Sequence, residues 1–431
     1  MSDFDLLVRG REQDIGISAG KIVARAQNLS GSAKSEIDAS DLAIFPGVID
    51  AHVHFNEPGR TDWEGFATGS RAAAAGGTTT VFDMPLNAHP PTIDGASFDA
   101  KRAAAEKSSL VDFGLWGGLV PGNLEHLETL HDRGVVGLKA FMCDSGIEDF
   151  SPVDRPTLRR GMKRAAQLDL LVAVHAESNP GPAKGETVRD FLDSRPIAAE
   201  LAAIGDAIEL ARETGCRLHI VHVSCGRGVA LVAEARVQGV DVTCETCPHY
   251  LFLTDEDMVR LGAVAKCAPP LRPPAEQAEL WQHLHEVATI ASDHSPSPWS
   301  MKEGEKFFKV WGGISGCQHL LPLLSDAAGK ISRAEIARLT SAGVAERFRI
   351  AEKGGLEIGK DADLTLVDLR AQEVVHTESL HYRHRHTPYL GRRLHTRIVR
   401  TILRGQTIFE DGNLGPRPTG RLVRPRTEQK L

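Results

Sequence analysis

Apolar and polar residues recur with two different periods along this chain, and the change of period divides it. Over residues 3–49 short alternating runs are broken by glycines and polar turns: Asp5-Leu-Leu-Val-Arg9, Asp14-Ile-Gly-Ile-Ser18 and Lys21-Ile-Val-Ala24. This is the pattern of half-buried strands. The far C-terminus repeats it in Asp363-Leu-Thr-Leu-Val-Asp368 and Arg400-Thr-Ile-Leu-Arg-Gly-Gln-Thr-Ile-Phe409. Neither end holds enough apolar surface for a core of its own. Residues 1–49 and 352–431 are therefore expected to pack together as one small β-sandwich domain, with residues 50–351 inserted between them.

The insertion reads differently. Near-continuous apolar runs, the mark of strands covered on both faces, alternate with segments of helical period. A strand over residues 45–54 opens it, and further strands are expected over 78–84, 113–119, 134–141, 170–175, 217–222, 241–246 and 288–293. Helices are expected between them, for example over 63–75, 154–168, 198–214 and 228–238. Eight strand-then-helix units predict an α/β fold of the (β/α)8 barrel type.

Chemistry in such a barrel gathers at the C-terminal ends of the strands. The opening strand reads Phe45-Pro-Gly-Val-Ile-Asp-Ala-His-Val-His54. Alternation of period two places His52 and His54 on one face, opposite Ile49, Ala51 and Val53. Alone, such a pair is a weak sign of metal binding, and a single histidine at a strand end is more often a hydrogen-bonded core residue. Here the strand ends also supply Lys139, His175, His222 and Asp293. Six polar residues from five strands, each ending an apolar run where an unpaired polar group is costly, converge on one mouth. Imidazoles with a carboxylate suit zinc or a similar divalent ion. Four His and one Asp exceed the needs of one ion, which suggests two. Lys139 by itself reads as a salt-bridged core lysine. Beside two cations its amine would be repelled, unless reaction with carbon dioxide turned it into a bridging carbamate. His219, three residues before His222, is expected to face away and to be structural.

Composition narrows the picture. The chain has 431 residues, 42% hydrophobic and 25% charged, as in an ordinary globular protein. A net charge of −7 argues against general nucleic-acid binding. The arginines between Arg417 and Arg426 read as a solvated tail. Seven cysteines without framework spacing, no leader and no long apolar run predict reduced thiols, no membrane span and a cytoplasmic protein. Cys244 and Cys247 have redox-pair spacing but lie on a strand without a second pair, and are set aside. His381, His384 and His386 read as solvated surface. Gly76-Gly77 is a turn and not a phosphate loop.

With these residues in place, the chain resembles the cyclic amidohydrolases of the amidohydrolase superfamily over essentially its whole length. The resemblance rests on His52-Val-His54, Lys139, His175, His222 and Asp293, and on Ile358-Gly-Lys-Asp-Ala-Asp363 as the return into the split β domain. It implies one divalent ion held by His52, His54, Lys139 and Asp293, and a second held by Lys139, His175 and His222, with Lys139 carboxylated. Zinc is the first expectation, with cobalt, manganese, iron and nickel as alternatives. It also implies a homotetramer. Within the family, Glu57-Pro-Gly-Arg-Thr-Asp-Trp-Glu-Gly-Phe66, Asp83-Met-Pro-Leu-Asn87, Cys247-Pro-His-Tyr250, Asp293-His-Ser-Pro296 and Trp311-Gly-Gly-Ile-Ser-Gly316 resemble the allantoinase branch. That branch implies hydrolytic ring opening of allantoin, with Asp293 moving the proton.

Dihydroorotases carry an arginine where this chain has Asn56, and hydantoinases lack the Glu57-to-Arg60 run; both remain the alternative substrate classes. Asn56, Asn87 and the Gly312-Gly313 backbone are expected to contact substrate, and Glu177 and Glu245 to support the histidines. Residues 142–150 and 295–310 are expected to cover the mouth. Ala268, where the family often has Ser, and Gly343, where Asn is common, depart from its pattern. An inactive relative serving as a scaffold would have lost ligands, and all six are present.

Overall fold

The computed structural model of the chain describes residues 2–178, 181, 185–415 and 417–426. Five strands come first: β1 (Phe4–Gly10), β2 (Asp14–Ser18), β3 (Lys21–Ala26), β4 (Ala33–Ala39) and β5 (Ala43–Pro46). The first four form a sheet ordered β3-β2-β1-β4.

The barrel strands follow: β6 (Val48–Val53), β7 (Thr78–Asp83), β8 (Asp112–Leu115), β9 (Gly117–Gly118), β10 (Leu138–Phe141), β11 (Leu171–His175), β12 (Arg217–Ile220), β13 (Val242–Thr246) and β14 (Thr289–Ile290). They pair in parallel as β6-β7-β8 and as β9 through β14. β8 and β9 are one barrel position interrupted at Trp116, whose indole N–H donates to the Ala51 carbonyl at 3.0 Å. A parallel bridge between Val53 and His294 closes the ring. Eight strand positions with helices between them make the expected barrel.

Several strands are shorter than the sequence pattern suggests. Residues 134–137 precede β10; Gly134 is a left-handed helix cap at φ 83°. β14 has two residues, so Asp293 stands beyond the ladder, as His222 stands beyond β12. The first helix is Phe66–Ala75 and leaves Trp63 in the preceding loop. The others, Arg155–Gln167, Ile197–Thr214 and Gly226–Val237, fall where the helical period puts them.

The C-terminal strands are β15 (Leu364–Asp368), β16 (Glu373–Val374), β17 (Arg393–Leu394), β18 (Arg397–Leu403), β19 (Gln406–Glu410) and β20 (Asn413–Leu414). The run read as one β-rich segment is a hairpin, turning at Arg404-Gly405 between β18 and β19. β5 joins this half in a sheet ordered β20-β19-β18-β15-β5. Leu6, Val8, Ile15 and Ile17 bury their side chains against Leu364, Leu366 and Ile402 between the two sheets. Both chain ends therefore share one core, the β-sandwich.

Two C-terminal stretches are more than the solvated surfaces expected of them, although the tail's arginines, Arg417, Arg421, Arg424 and Arg426, are exposed as expected. Arg421 takes the Phe113 amide on its carbonyl at 3.0 Å, and Val423 donates back to Phe113 at 2.8 Å. The arginine-rich tail is thus strapped along β8. The histidine segment packs on the loops around the barrel mouth. His384 donates to the Asp62 carbonyl at 2.7 Å, and buried His386 to the Ser297 carbonyl at 2.9 Å. Tyr382, just before them, stacks on His294, with ring centres 5.1 Å apart.

Barrel and sandwich are tied by charge. Lys353, 3% exposed, sets its ammonium 2.6 Å from Asp112, 2.7 Å from Asp363 and 3.0 Å from Asp361. Burial opposes its charge, but the three carboxylates hold its pKa above the usual lysine range. Removing one member of a buried ionic group leaves the others uncompensated. Lys353→Met should therefore cost about 3–5 kcal/mol in chemical denaturation, while metal uptake at the opposite end of the barrel stays unchanged.

Candidate metal centre

His52 and His54 reach the mouth because β6 is irregular. Its register with β7 slips between Asp50 and Val53. Ile49 and Ala51 pack inward against Phe82, Trp116, Ala173 and Phe348, whereas Val53 packs outward. Strict alternation would then have turned His52 outward as well. The slip turns it in, where its Nε2 lies 3.2 Å from Asp293 Oδ1, and His54 Nε2 lies 3.5 Å from the same oxygen. These three form a group whose ligand atoms all lie within 4.8 Å of one another.

The other three expected ligands lie beside them. His175, the last residue of β11, points Nδ1 at His222 Nε2, 3.0 Å away. The His52 and His222 rings are 5.4 Å apart. Lys139 in β10 is fully buried, with its amine 4.9 Å from the Phe141 ring centre and no hydrogen-bond partner among the described residues.

Supporting carboxylates hold the rings. Glu245 Oε1 lies 2.8 Å from His52 Nδ1, and Glu177 Oε2 lies 3.3 Å from His175 Nε2. Each leaves the opposite nitrogen free to face the centre, the usual arrangement for a metal-binding imidazole. Arg195 caps Glu177 in turn. Cys143, whose position suggested nothing in the sequence, groups with His175 and Glu177. His219 is not turned away: it lies in the same register row as Lys139 and Ala173, and its Nδ1 bonds the Thr243 hydroxyl at 2.7 Å.

Electrostatics prepares this set for cations. Burial holds His54, His175 and His222 below the usual imidazole range, so they are neutral donors. Burial alone would raise Asp293 and Glu245, but His52 and neighbouring hydrogen bonds keep both ionised, Glu245 at about 2. Burial pushes the Lys139 amine down to about 7. A neutral amine near physiological pH is the form that reacts with carbon dioxide.

His222 and Asp293 share a backbone feature, φ of 41° and 46°. Non-glycine residues pay strain there, and such strain clusters at functional sites. Asn56 and Asn87 have it too, at 63° and 67°.

Above the centre lies a cavity of about 610 Å³. Its wall includes Asn87, Ala268, Gly312 and Gly313, together with Phe141, Phe191, Arg195, Ser295 and Trp311. Asp144 to Gly146 and Ser300 to Val310 contribute to its rim, from the two segments expected to cover the mouth. Asn56 is not part of this wall; it is buried behind it and donates to the Pro296 carbonyl at 3.3 Å. Arg60 explains part of the run after it, clamping the Asn87 and Ala88 carbonyls at 3.1 and 3.3 Å. Gly343 does not line this cavity. A β-carbon there would meet the Ala288 carbonyl at 2.6 Å, at the start of the last strand, so only glycine fits.

Comparison with known proteins agrees with this geometry. Residues 43–408 match the model of the amidohydrolase family. The chain belongs to the amidohydrolase family. Among amidohydrolase relatives, an allantoinase of Rubrobacter xylanophilus is 56% identical over 100% of this chain and 99% of its own. An allantoinase of Solibacter usitatus is 52% identical over 96% and 93%. The solved L-hydantoinase (dihydropyrimidinase) from Arthrobacter aurescens superposes with a TM-score of 0.95 at 32% identity, covering 98% of this chain and all of that one.

The family implies divalent metal at this mouth, and the residues fit it. Neutral imidazoles converge with an ionised carboxylate, and the Lys139 amine, His54 Nδ1 and His222 Nδ1 are buried without partners among the described residues. Glu245→Ala would free His52 to rotate. It should weaken metal binding roughly 10–100-fold in chelator competition, with the fold intact by circular dichroism.

Proposed function

We propose that the chain hydrolyses the five-membered ring of allantoin to allantoate, in purine and ureide breakdown. The reading is carried by the end-to-end likeness to relatives named allantoinase, at higher identity than the hydantoinase whose fold it shares. The cavity supports a neutral substrate. Its inner cations are already engaged, Arg195 by Glu177 and Lys266 by backbone carbonyls, so among the described residues no wall arginine waits for a substrate carboxylate. A dihydroorotate ring would need one.

Two ions, zinc first, would be held by His52, His54, Asp293 and a carboxylated Lys139 on one side, and by the same lysine with His175 and His222 on the other. When bound, they supply Lewis-acid polarisation of the ring carbonyl and ionisation of water near neutral pH. Asp293, kept ionised by its two histidine neighbours, accepts the proton of the attacking water and delivers it to the leaving ring nitrogen. Glu245 and Glu177 keep the imidazoles oriented throughout. Asn87, and the Gly312-Gly313 backbone in the facing wall, hold the ring and its ureido arm, and the aromatic side chains exclude bulk water. Asn56 acts from behind the wall. We assign the catalytic unit to residues 50–351, the scaffold to residues 1–49 and 352–431, and a homotetramer as the assembly, which light scattering reads directly.

Side-by-side assays decide the substrate. Allantoin should exceed dihydroorotate and simple hydantoins by roughly 100-fold in kcat/KM; a hydantoin in first place would replace this reading. Lys139→Ala should lose most of its metal by elemental analysis, and turnover should fall on the order of 10²–10³-fold. Metal and activity close to those of the unsubstituted protein would remove the carbamate from the mechanism.

A further inference from the structure

Two more lysines are buried close to the cavity. Lys266 is 5% exposed and Lys302 is 4% exposed, and neither has a carboxylate partner among the described residues. A buried cation without a counter-charge is costly, so the fold must return something for it.

Each ammonium is instead saturated by backbone. Lys266 donates to the carbonyls of Phe307 at 2.7 Å, Phe308 at 3.2 Å and Val310 at 2.7 Å. Lys302 donates to those of Ala263 at 3.1 Å, Trp311 at 3.0 Å and Gly313 at 2.6 Å. An ammonium has three donors, and all three are used in both cases. Five of the six acceptors lie between residues 307 and 313.

That segment is the irregular wall of the cavity. It has little regular secondary structure, so its carbonyls need partners from elsewhere. Lys266 and Ala263 belong to the preceding connection, which also lines the cavity through Cys267 and Ala268. The Gly313 amide returns to the Lys266 carbonyl at 2.7 Å. The two lysines therefore staple two cavity-lining segments to each other. Their grip is close: a β-carbon on Gly313 would meet the Ser295 carbonyl at 2.2 Å, so the wall has no room to shift on that side. The same segment presents the Trp311 indole N–H, buried and without an acceptor among the described residues.

We infer that Lys266 and Lys302 are positioning residues for substrate: by gripping the carbonyls of residues 307–313 they set the backbone wall that holds the ring. This rests on the ring-opening reading above. They touch neither the metal ligands nor the reacting atoms, so their loss acts on binding more than on chemistry.

The test uses full-length, metal-loaded protein with Lys266→Met, Lys302→Met and the milder Lys302→Gln, which retains two donors. With allantoin as the probe, each Met variant should raise KM roughly tenfold and change kcat less than about threefold. Lys302→Gln should fall between Met and Lys, and metal content should not change. Hydrogen exchange of the free proteins gives a second measurement that needs no substrate. Amides of 299–313 should exchange faster in the Met variants, with less change in Lys302→Gln. An unchanged KM, or a loss confined to kcat, overturns the inference; so does unchanged exchange over 299–313. If the unsubstituted protein does not open allantoin, the functional reading fails, and the exchange result still decides whether the staple exists. If a Met variant does not fold, Lys302→Gln carries both measurements.

Discussion

The His54 amide donates to the His294 carbonyl at 2.7 Å, and the rest of the site depends on that bond. It lies on the seam where the first barrel strand meets the last. β14 is too short to make a ladder there, so side chain and loop substitute for it. Buried Asp50 takes the Ser292 amide at 3.0 Å and the His52 amide at 3.4 Å on one oxygen. Closure of the seam is what brings Asp293 within reach of His52 and His54, which are 239 or more residues away in sequence. It also holds Asp293 at a positive φ that an open chain would relax.

The seam is also buttressed from outside the barrel. His294 accepts the Gly316 amide on Nδ1 at 3.1 Å and is covered by the Tyr382 ring. Arg383 next to it grips Glu64, which faces His294 Nε2 at 3.7 Å. The C-terminal segment thus stiffens the loop that carries Asp293 and His294, through contacts with two loops that precede it by 88 residues or more. The segment around Tyr382 is therefore more than a surface cover, because the mouth leans on it.

The six ligand candidates and the eight strand positions were legible because each depends on local pattern: an apolar run and the polar residue that ends it. What was not legible depends on register and distance. The slip between Asp50 and Val53 inverts the facing that strict alternation predicts, and nothing in those four residues marks it. His219 was misjudged for a related reason. His222 lies past the end of β12, so counting back from it does not give the facing of the strand. The histidines at 381–386 looked solvated because their partners, Asp62 and Ser297, belong to loops whose position only the closed barrel defines. Cys143 and Arg195 reach the centre from loops of no regular period, and Asn56 stands behind the wall, where its side chain donates to the Pro296 carbonyl.

The buried lysines show how strictly this fold treats charge. Five are buried among the described residues. Lys101 has Asp83 at 2.6 Å and the Met84 carbonyl. Lys353 has three carboxylates, and Lys266 and Lys302 have three carbonyls each. In each of these four the donors find acceptors, even where the backbone must supply them. Lys139 alone has none. An ammonium in that position would be far more costly than a core of this quality tolerates. A neutral amine would not, and burial favours that form. The exception lies close enough to His222 and Asp293 to interact electrostatically with both. The contrast between this bare amine and the other four satisfied lysines is what supports the proposed carbamate at Lys139.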